Sequence, residues 1–156
     1  MLQCSNNGVA NYIGQIPIHD GNTISLSYNG SVGQAFYQPD AYWATDDVNA
    51  LYFKKSNHHE FNQYIGLFIA TLLKQEQYRF SYGRKWVLSE MEDTVLKLPQ
   101  TSSGKPDWDW MENYIKSLPY SDRIFLKKED SVMSRTKKDA HILNIKLASP
   151  VYGELE

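Results

Sequence analysis

Asn57-His58-His59-Glu60-Phe61-Asn62-Gln63-Tyr64-Ile65-Gly66-Leu67-Phe68-Ile69-Ala70-Thr71-Leu72-Leu73-Lys74-Gln75 is the stretch that decides the fold. Phe61, Tyr64, Ile65, Phe68, Ile69, Leu72 and Leu73 recur at i, i+3, i+4, i+7, i+8, i+11 and i+12, which is one face of an α-helix. Asn57 with Glu60 three residues on reads as a capping box, so a helix over about 57–75 is expected. Burial of such side chains contributes roughly 1.5–3 kcal/mol each. That makes this helix the organiser of the core, and its apolar stripe needs a cover.

The residues before it supply that cover. Ile24, Leu26 and Tyr28 alternate with Ser25, Ser27 and Asn29, the period of a half-buried strand. Gly21-Asn22 and Asn29-Gly30 bracket it as turns, because glycine and asparagine accept positive φ at low steric cost. Further strands are expected at 33–37 and 48–53. After the helix, Tyr78-Arg79-Phe80 and 94–98 read as extended, with Pro99 ending the second. A second helix is expected to start at Asp107, with Trp108, Met111, Ile115 and Leu118 on one face and Pro119 as its stop. Leu143, Ile145 and Leu147 alternate with Asn144 and Lys146, a last strand. The pattern is α+β: a twisted antiparallel sheet packed on one long amphipathic helix.

At 156 residues the chain fits one domain with a real core. The longest apolar stretch, around 65–73, is interrupted by Gly66 and Thr71 and is too short to span a membrane. The start Met1-Leu2-Gln3-Cys4-Ser5-Asn6 lacks the basic and apolar regions of a secretory signal. With one cysteine there is no internal disulfide, and a reducing cytoplasm is the simplest setting. A net charge of −2 argues against binding nucleic acid by bulk charge. The charges are nevertheless uneven. Arg123, Lys127, Lys128, Arg135, Lys137, Lys138 and Lys146 face Glu129, Asp130 and Asp139 alone, and Lys74, Arg79, Arg84 and Lys85 face Glu76 alone. Local basic faces suffice for phosphate contacts, because screening acts over about 8–10 Å; the other reading of such runs is a solvated face.

No catalytic constellation accompanies the scaffold. His58-His59-Glu60 are adjacent, and neighbouring helical side chains diverge by about 100°, so they read as a polar first turn. His58 could instead meet phosphate beside the helix N-terminus. Asp40, Asp46 and Asp47 with Lys54 or Lys55 suggest a metal-dependent nuclease, yet no lysine has an acid two positions earlier, as such sites commonly require. Gly30-Ser31-Val32-Gly33 has no following Gly-Lys-Ser/Thr to cradle phosphate. A proline pair, part of the loop that methyl transfer to a base amine needs, is missing too. The residues therefore read as a binding domain. Trp86 beside Arg84 and Lys85 is its best contact candidate, either stacking on a base or sitting in the core while the cations face outward.

The runs Asn7-Gly8-Val9, Tyr12-Ile13-Gly14, Gly21-Asn22-Thr23-Ile24-Ser25, Tyr28-Asn29-Gly30-Ser31, Ala35-Phe36-Tyr37-Gln38, Trp43-Ala44-Thr45 and Val48-Asn49-Ala50-Leu51 form an ordered set. Tyr82-Gly83-Arg84-Lys85-Trp86, Leu96-Lys97-Leu98-Pro99 and Gly104-Lys105-Pro106-Asp107-Trp108 continue it. Together they resemble the target recognition domain of restriction–modification specificity subunits, closer to type IIG and type IIB enzymes than to ordinary type I subunits. The likeness covers about residues 2–123.

The resemblance implies sequence-specific binding of double-stranded DNA, with no catalytic residue, cofactor or metal. A partner methyltransferase or restriction subunit or domain would carry the chemistry, and a homodimer or a second recognition domain would complete a split site. It also implies a recognition domain at 1–123 and a basic C-terminal extension at 124–156. The contacts expected are Asn29, Ser31, Gln38, Tyr42, Lys54, Lys55, His58, Arg79, Arg84, Lys85 and Trp86. Two departures stand out. The strand that usually precedes Asn-Gly-Val has no counterpart, so an exposed edge needing cover is expected. The helix after Asp107 stops at Pro119, where the family continues into a spacer. The alternative reading is a truncated fragment that docks on a methyltransferase subunit through the 107–118 helix without reading DNA.

Overall fold

The computed structural model describes residues 6–81, 83–124 and 146–147. Its centre is strand β1 (Thr23–Ser27), flanked antiparallel by β2 (Ala35–Gln38) and β3 (Val48–Leu51) in the order β2-β1-β3. Ile24 stands opposite Tyr37 and Leu51, while Ser25 stands opposite Phe36 and Ala50. Helix α1 (Gln63–Gln75) lies on the Ile24 face. Short helix α2 (Leu88–Glu92), strand β4 (Val95–Leu96) and helix α3 (Trp108–Ser117) follow, and β5 (Lys146–Leu147) pairs in parallel with β4. The fold is α+β, as the periodicity predicts.

The apolar stripe of α1 does what its spacing demands. Ile65, Ile69, Ala70 and Leu73 join Ile24, Leu26, Ala35 and Leu51 in one core with Trp86, Met91, Leu96 and Met111. Gly66 is part of that fit. A Cβ there would lie 2.2 Å from Cδ2 of Tyr37, so only glycine lets the Tyr37 ring rest on the helix.

Four expectations need correcting. The first is the helix start. Asn57 belongs to a single 3₁₀ turn (Lys55–Asn57), and His58 takes a left-handed conformation, so the 57–60 capping box does not form. Asn62 caps α1 instead, its Oδ1 accepting from the backbone N–H of Tyr64 and Ile65 at 3.0 and 3.2 Å. Tertiary contacts set this boundary. The Phe61 carbonyl accepts from Asn22 Nδ2 at 2.8 Å, and its ring stacks on Phe53 at 4.9 Å, which holds Phe61 outside the helix.

Second, β1 is buried on both faces rather than half-exposed. Its polar face is satisfied internally: Ser25 Oγ accepts from Gln38 Nε2 at 2.9 Å, Ser27 Oγ donates to the Asn29 carbonyl at 2.8 Å, and Thr23 Oγ1 donates to the Asp20 carbonyl at 3.1 Å. Third, Tyr78 and Arg79 are not extended, because Glu76–Arg79 forms a 3₁₀ turn continuing α1 and the chain becomes extended only at Phe80. Gly33 packs against Gln77 there, its Cβ position 3.0 Å from the Gln77 Cα, so the chain must curl at that point. Fourth, Leu118 is the exposed cap of α3, and only Met111 and Ile115 of its expected face are fully buried. Of the strand expected at 143–147, Lys146–Leu147 is present. Its remainder lies outside the described residues, as do Cys4, Tyr82 and the basic residues of 127–138.

The two helices are tied through one carboxylate. Glu112 on α3 accepts from Asn62 Nδ2 at 2.6 Å, pairs with Lys116 one turn on, and lies 4.0 Å from His59 Nε2. Those donors hold its carboxyl below the usual range, the Lys116 hydrogen bond contributing most. His59 thus faces α3 and not an ion beside His58. Among the described residues no group of three or more His, Cys, Asp or Glu side chains is placed to hold a metal. No helix among them is long and apolar enough to cross a membrane.

Candidate nucleic-acid interface

The antiparallel register sorts the expected contacts into two groups. Gln38 and Leu51 lie beside the Thr23–Ile24 end of β1, and Ala35 and Val48 beside its Leu26–Ser27 end. Gln38, Tyr42, Lys54, Lys55 and His58 therefore gather at one end of the sheet. Asn29 and Ser31 lie at the other, where the α1 C-terminus delivers Arg79, Arg84 and Lys85. Five strand residues separate the ends by roughly 15 Å.

The second end is a cluster of loops braced against one another. The 28–34 loop turns through Gly30 and Gly33, at φ +73° and +81°. Asn29 Nδ2 donates to Asp47 Oδ1 at 2.7 Å, joining this loop to the one before β3. Across the other flank, Gln34 Nε2 donates to Gln77 Oε1 at 3.2 Å in a solvent-exposed bond. Ser81 and Arg84 then exchange both backbone hydrogen bonds at 3.0 Å, closing a tight hairpin. Its two legs rest on buried rings. Phe80 and Trp86 stack 4.5 Å apart at 10°, and the indole N–H donates to Thr94 Oγ1 at 3.0 Å. Arg84 and Lys85 project from this base into solvent, with the Arg84 guanidinium 5.9 Å from the Phe80 ring. Arg79 lies 5.6 Å from the same ring and pairs with Glu76 at 2.9 Å, which raises its pKa.

Two expected contacts prove to be structural. Trp86 is fully buried at 0% exposure, so it offers no face to a base; its part is to hold the hairpin. The sequence left this choice open, and burial decides it. Gln38 is buried at 8%, donating to Ser25 Oγ and to the Asn7 carbonyl. Its place in register with Phe36 was the available signal, since period two puts both on the covered face.

The first end is a different surface. Tyr42 pairs with His19 through the backbone, lies tilted at 38° against its ring with centroids 5.1 Å apart, and reaches Thr23 Oγ1 at 3.5 Å. Burial pushes its hydroxyl up to about 12 and pulls His19 down, so both are neutral near pH 7. Lys54 lines an apolar cleft with Phe53, Phe61, Leu98, Pro106 and Trp108. Lys55 and His58 are exposed; His58, expected beside the α1 N-terminus, stands four residues before its cap.

A third surface carries Trp110 and Tyr114, which lie outside the apolar face expected of the second helix. Trp110 and Tyr114 stack 5.2 Å apart on the outer side of α3, and Phe68 of α1 meets both edge-on at 6.1 and 6.0 Å. Trp110 and Tyr114 remain 47% and 45% exposed.

Comparison with known proteins accounts for this scaffold. The type I restriction modification DNA specificity domain family matches residues 3–120. The type II restriction enzyme specificity subunit S.BcgI of Heyndrickxia coagulans is 30% identical over 133 residues, 85% of this chain. The chain spans 35% of that relative's length. No solved structure matches. The chain belongs to the type I restriction–modification DNA specificity domain family.

Proposed function

We propose that this chain reads a double-stranded DNA sequence as the target-recognition part of a restriction–modification system, and directs a partner methyltransferase or endonuclease that carries the chemistry. The observation that supports it most is the braced hairpin. Arg84 and Lys85 stand in solvent on a turn whose legs are locked by Phe80 and Trp86, beside the loop bearing Asn29 and Ser31. Rigid cations fix register on phosphates, and neighbouring polar side chains can then reach base edges. Arg79 belongs to the same face. Tyr42, Lys54, Lys55 and His58 lie at the opposite end and contact the same duplex face only if the DNA wraps. The 1–123 segment serves as the recognition unit and 124–156 as an extension, in a reducing cytoplasm. The exposed Trp110–Tyr114 pair on α3, backed by half-buried Phe68, supports docking of the partner there.

Fluorescence anisotropy with duplex DNA across a salt series tests the interface. Replacing Arg84 and Lys85 by Ala flattens the slope of log K against log salt by about 1–2 units. An unchanged slope removes both side chains from the interface.

A further inference from the structure

The exposed Gln34–Gln77 pair lies in the middle of the loop cluster and belongs to no expectation drawn from sequence. Gln34 closes the 28–34 loop, its N–H donating to the Ser31 carbonyl at 3.2 Å. Gln77 belongs to the 3₁₀ turn that carries Arg79 and leads into the hairpin. The two backbones are wedged together, since a Cβ on Gly33 would come within 3.0 Å of the Gln77 Cα and Cβ. The amides meet in a single hydrogen bond, Gln34 Nε2 to Gln77 Oε1 at 3.2 Å. Among the described residues, Gln34 Oε1 and Gln77 Nε2 have no partner. The bonded pair therefore leaves one amide oxygen, on Gln34, and one amino group, on Gln77, wholly unbonded.

From this arrangement we infer that Gln34 and Gln77 act together as a specificity element that reads an adenine in the major groove. Adenine offers a donor, its N6 amine, beside an acceptor, N7. The free acceptor and donor of the glutamine pair complement that edge. Guanine offers two acceptors there, and cytosine a lone donor. The bond between the two amides and the Gly33 wedge fix both side chains before DNA arrives, which reduces the ordering cost of binding. Arg79, two residues on in the same turn, and Arg84, beside the same Phe80 ring as Arg79, would hold the phosphates. This assignment rests on the proposed reading of DNA by the same face.

The test selects bound duplexes from a random pool with the full chain, then sequences them. Wild type recovers a word containing an A·T pair that the glutamines read. The Gln34→Ala/Gln77→Ala double variant loses preference at that pair alone. Its affinity for the wild-type word falls roughly 5- to 150-fold, while its affinity for random duplex stays unchanged. Gln77→Glu removes the donor and keeps an acceptor, so preference at that position moves from adenine to cytosine, a change that a structural clasp would not produce. Variants that recover the wild-type word with wild-type affinity overturn the assignment and leave DNA reading intact. A lower melting temperature with uniform loss on all DNA overturns it too, by making the pair a clasp. A wild-type chain that enriches no word overturns the proposed function itself.

Discussion

Replacing Trp86 separates a support from a contact. The indole is fully buried, stacks on Phe80 at 4.5 Å and donates to Thr94 Oγ1 at 3.0 Å. Trp86→Ala would empty that volume and cost about 3–5 kcal/mol, much of the 5–15 kcal/mol that stabilises a typical domain. Trp86→Phe is the sharper change. It keeps a ring against Phe80, removes the N–H donor at about 1 kcal/mol, and loses some buried area, for a total of about 1–2 kcal/mol. The Thr94 hydroxyl keeps its bond to the Glu90 carbonyl at 2.7 Å in that variant, so no buried polar group is orphaned. Urea unfolding of Trp86→Phe, Thr94→Val and the double variant then gives a coupling energy of about 1 kcal/mol. With a urea dependence of about 1–3 kcal/mol per molar, the Trp86→Phe midpoint drops by roughly 0.3–2 M. A midpoint equal to wild type would refute the buried placement. Loss of DNA binding at wild-type stability would refute it as well, by showing that the indole meets the duplex.

Two further perturbations test the packing. Gly66→Ala should lower the melting temperature although alanine is the better helix former by about 1 kcal/mol. Its methyl would meet the Tyr37 ring, which the Tyr37 hydroxyl's 2.9 Å bond to Asn22 Oδ1 holds in place, and overpacking costs about 1–3 kcal/mol. A higher melting temperature would contradict that contact. Glu112 makes stability depend on acid. Its folded-state pKa lies below the unfolded value through Lys116 first and Asn62 next, so its contribution is complete above the unfolded carboxylate range and fades as pH falls through the folded value. Urea midpoints taken from pH 7 down to pH 3 should fall less steeply for Glu112→Gln than for wild type. Parallel curves would show that the carboxylate is not preferentially stabilised.

The core of this fold is written in local periodicity. The α1 stripe, the β1 alternation and the Asp107 start of α3 all rest on neighbours three, four or two residues away, and each is in place. What the sequence could not fix depends on distant partners. Asn57 and Asn62 carry equal capping chemistry, and only the hold of Asn22 and Phe53 on Phe61 selects the later one. Tyr78-Arg79-Phe80 has strand-like composition, yet the contact between Gly33 and Gln77 bends it into a turn. The five-residue helix α2 is too short to show a period.

The candidate face divides in the same way. Arg84 and Lys85 stand out in the sequence as cations beside an aromatic, and both are exposed, although Trp86 itself belongs to the core. Gln38 misled because polarity alone does not reveal which face of a strand is covered. Gln34 and Gln77, 43 positions apart, carried no signal at all, since their pairing exists only once two loops meet.

Reading of DNA by the 28–34 and 79–85 loops is tested most directly by a competition experiment with the full chain. The word recovered from a random duplex pool is set against a scrambled duplex of equal length and composition at fixed salt. The recovered word should bind at least about a thousandfold more tightly. Equal affinity for both duplexes would contradict the assignment of this domain as a sequence reader.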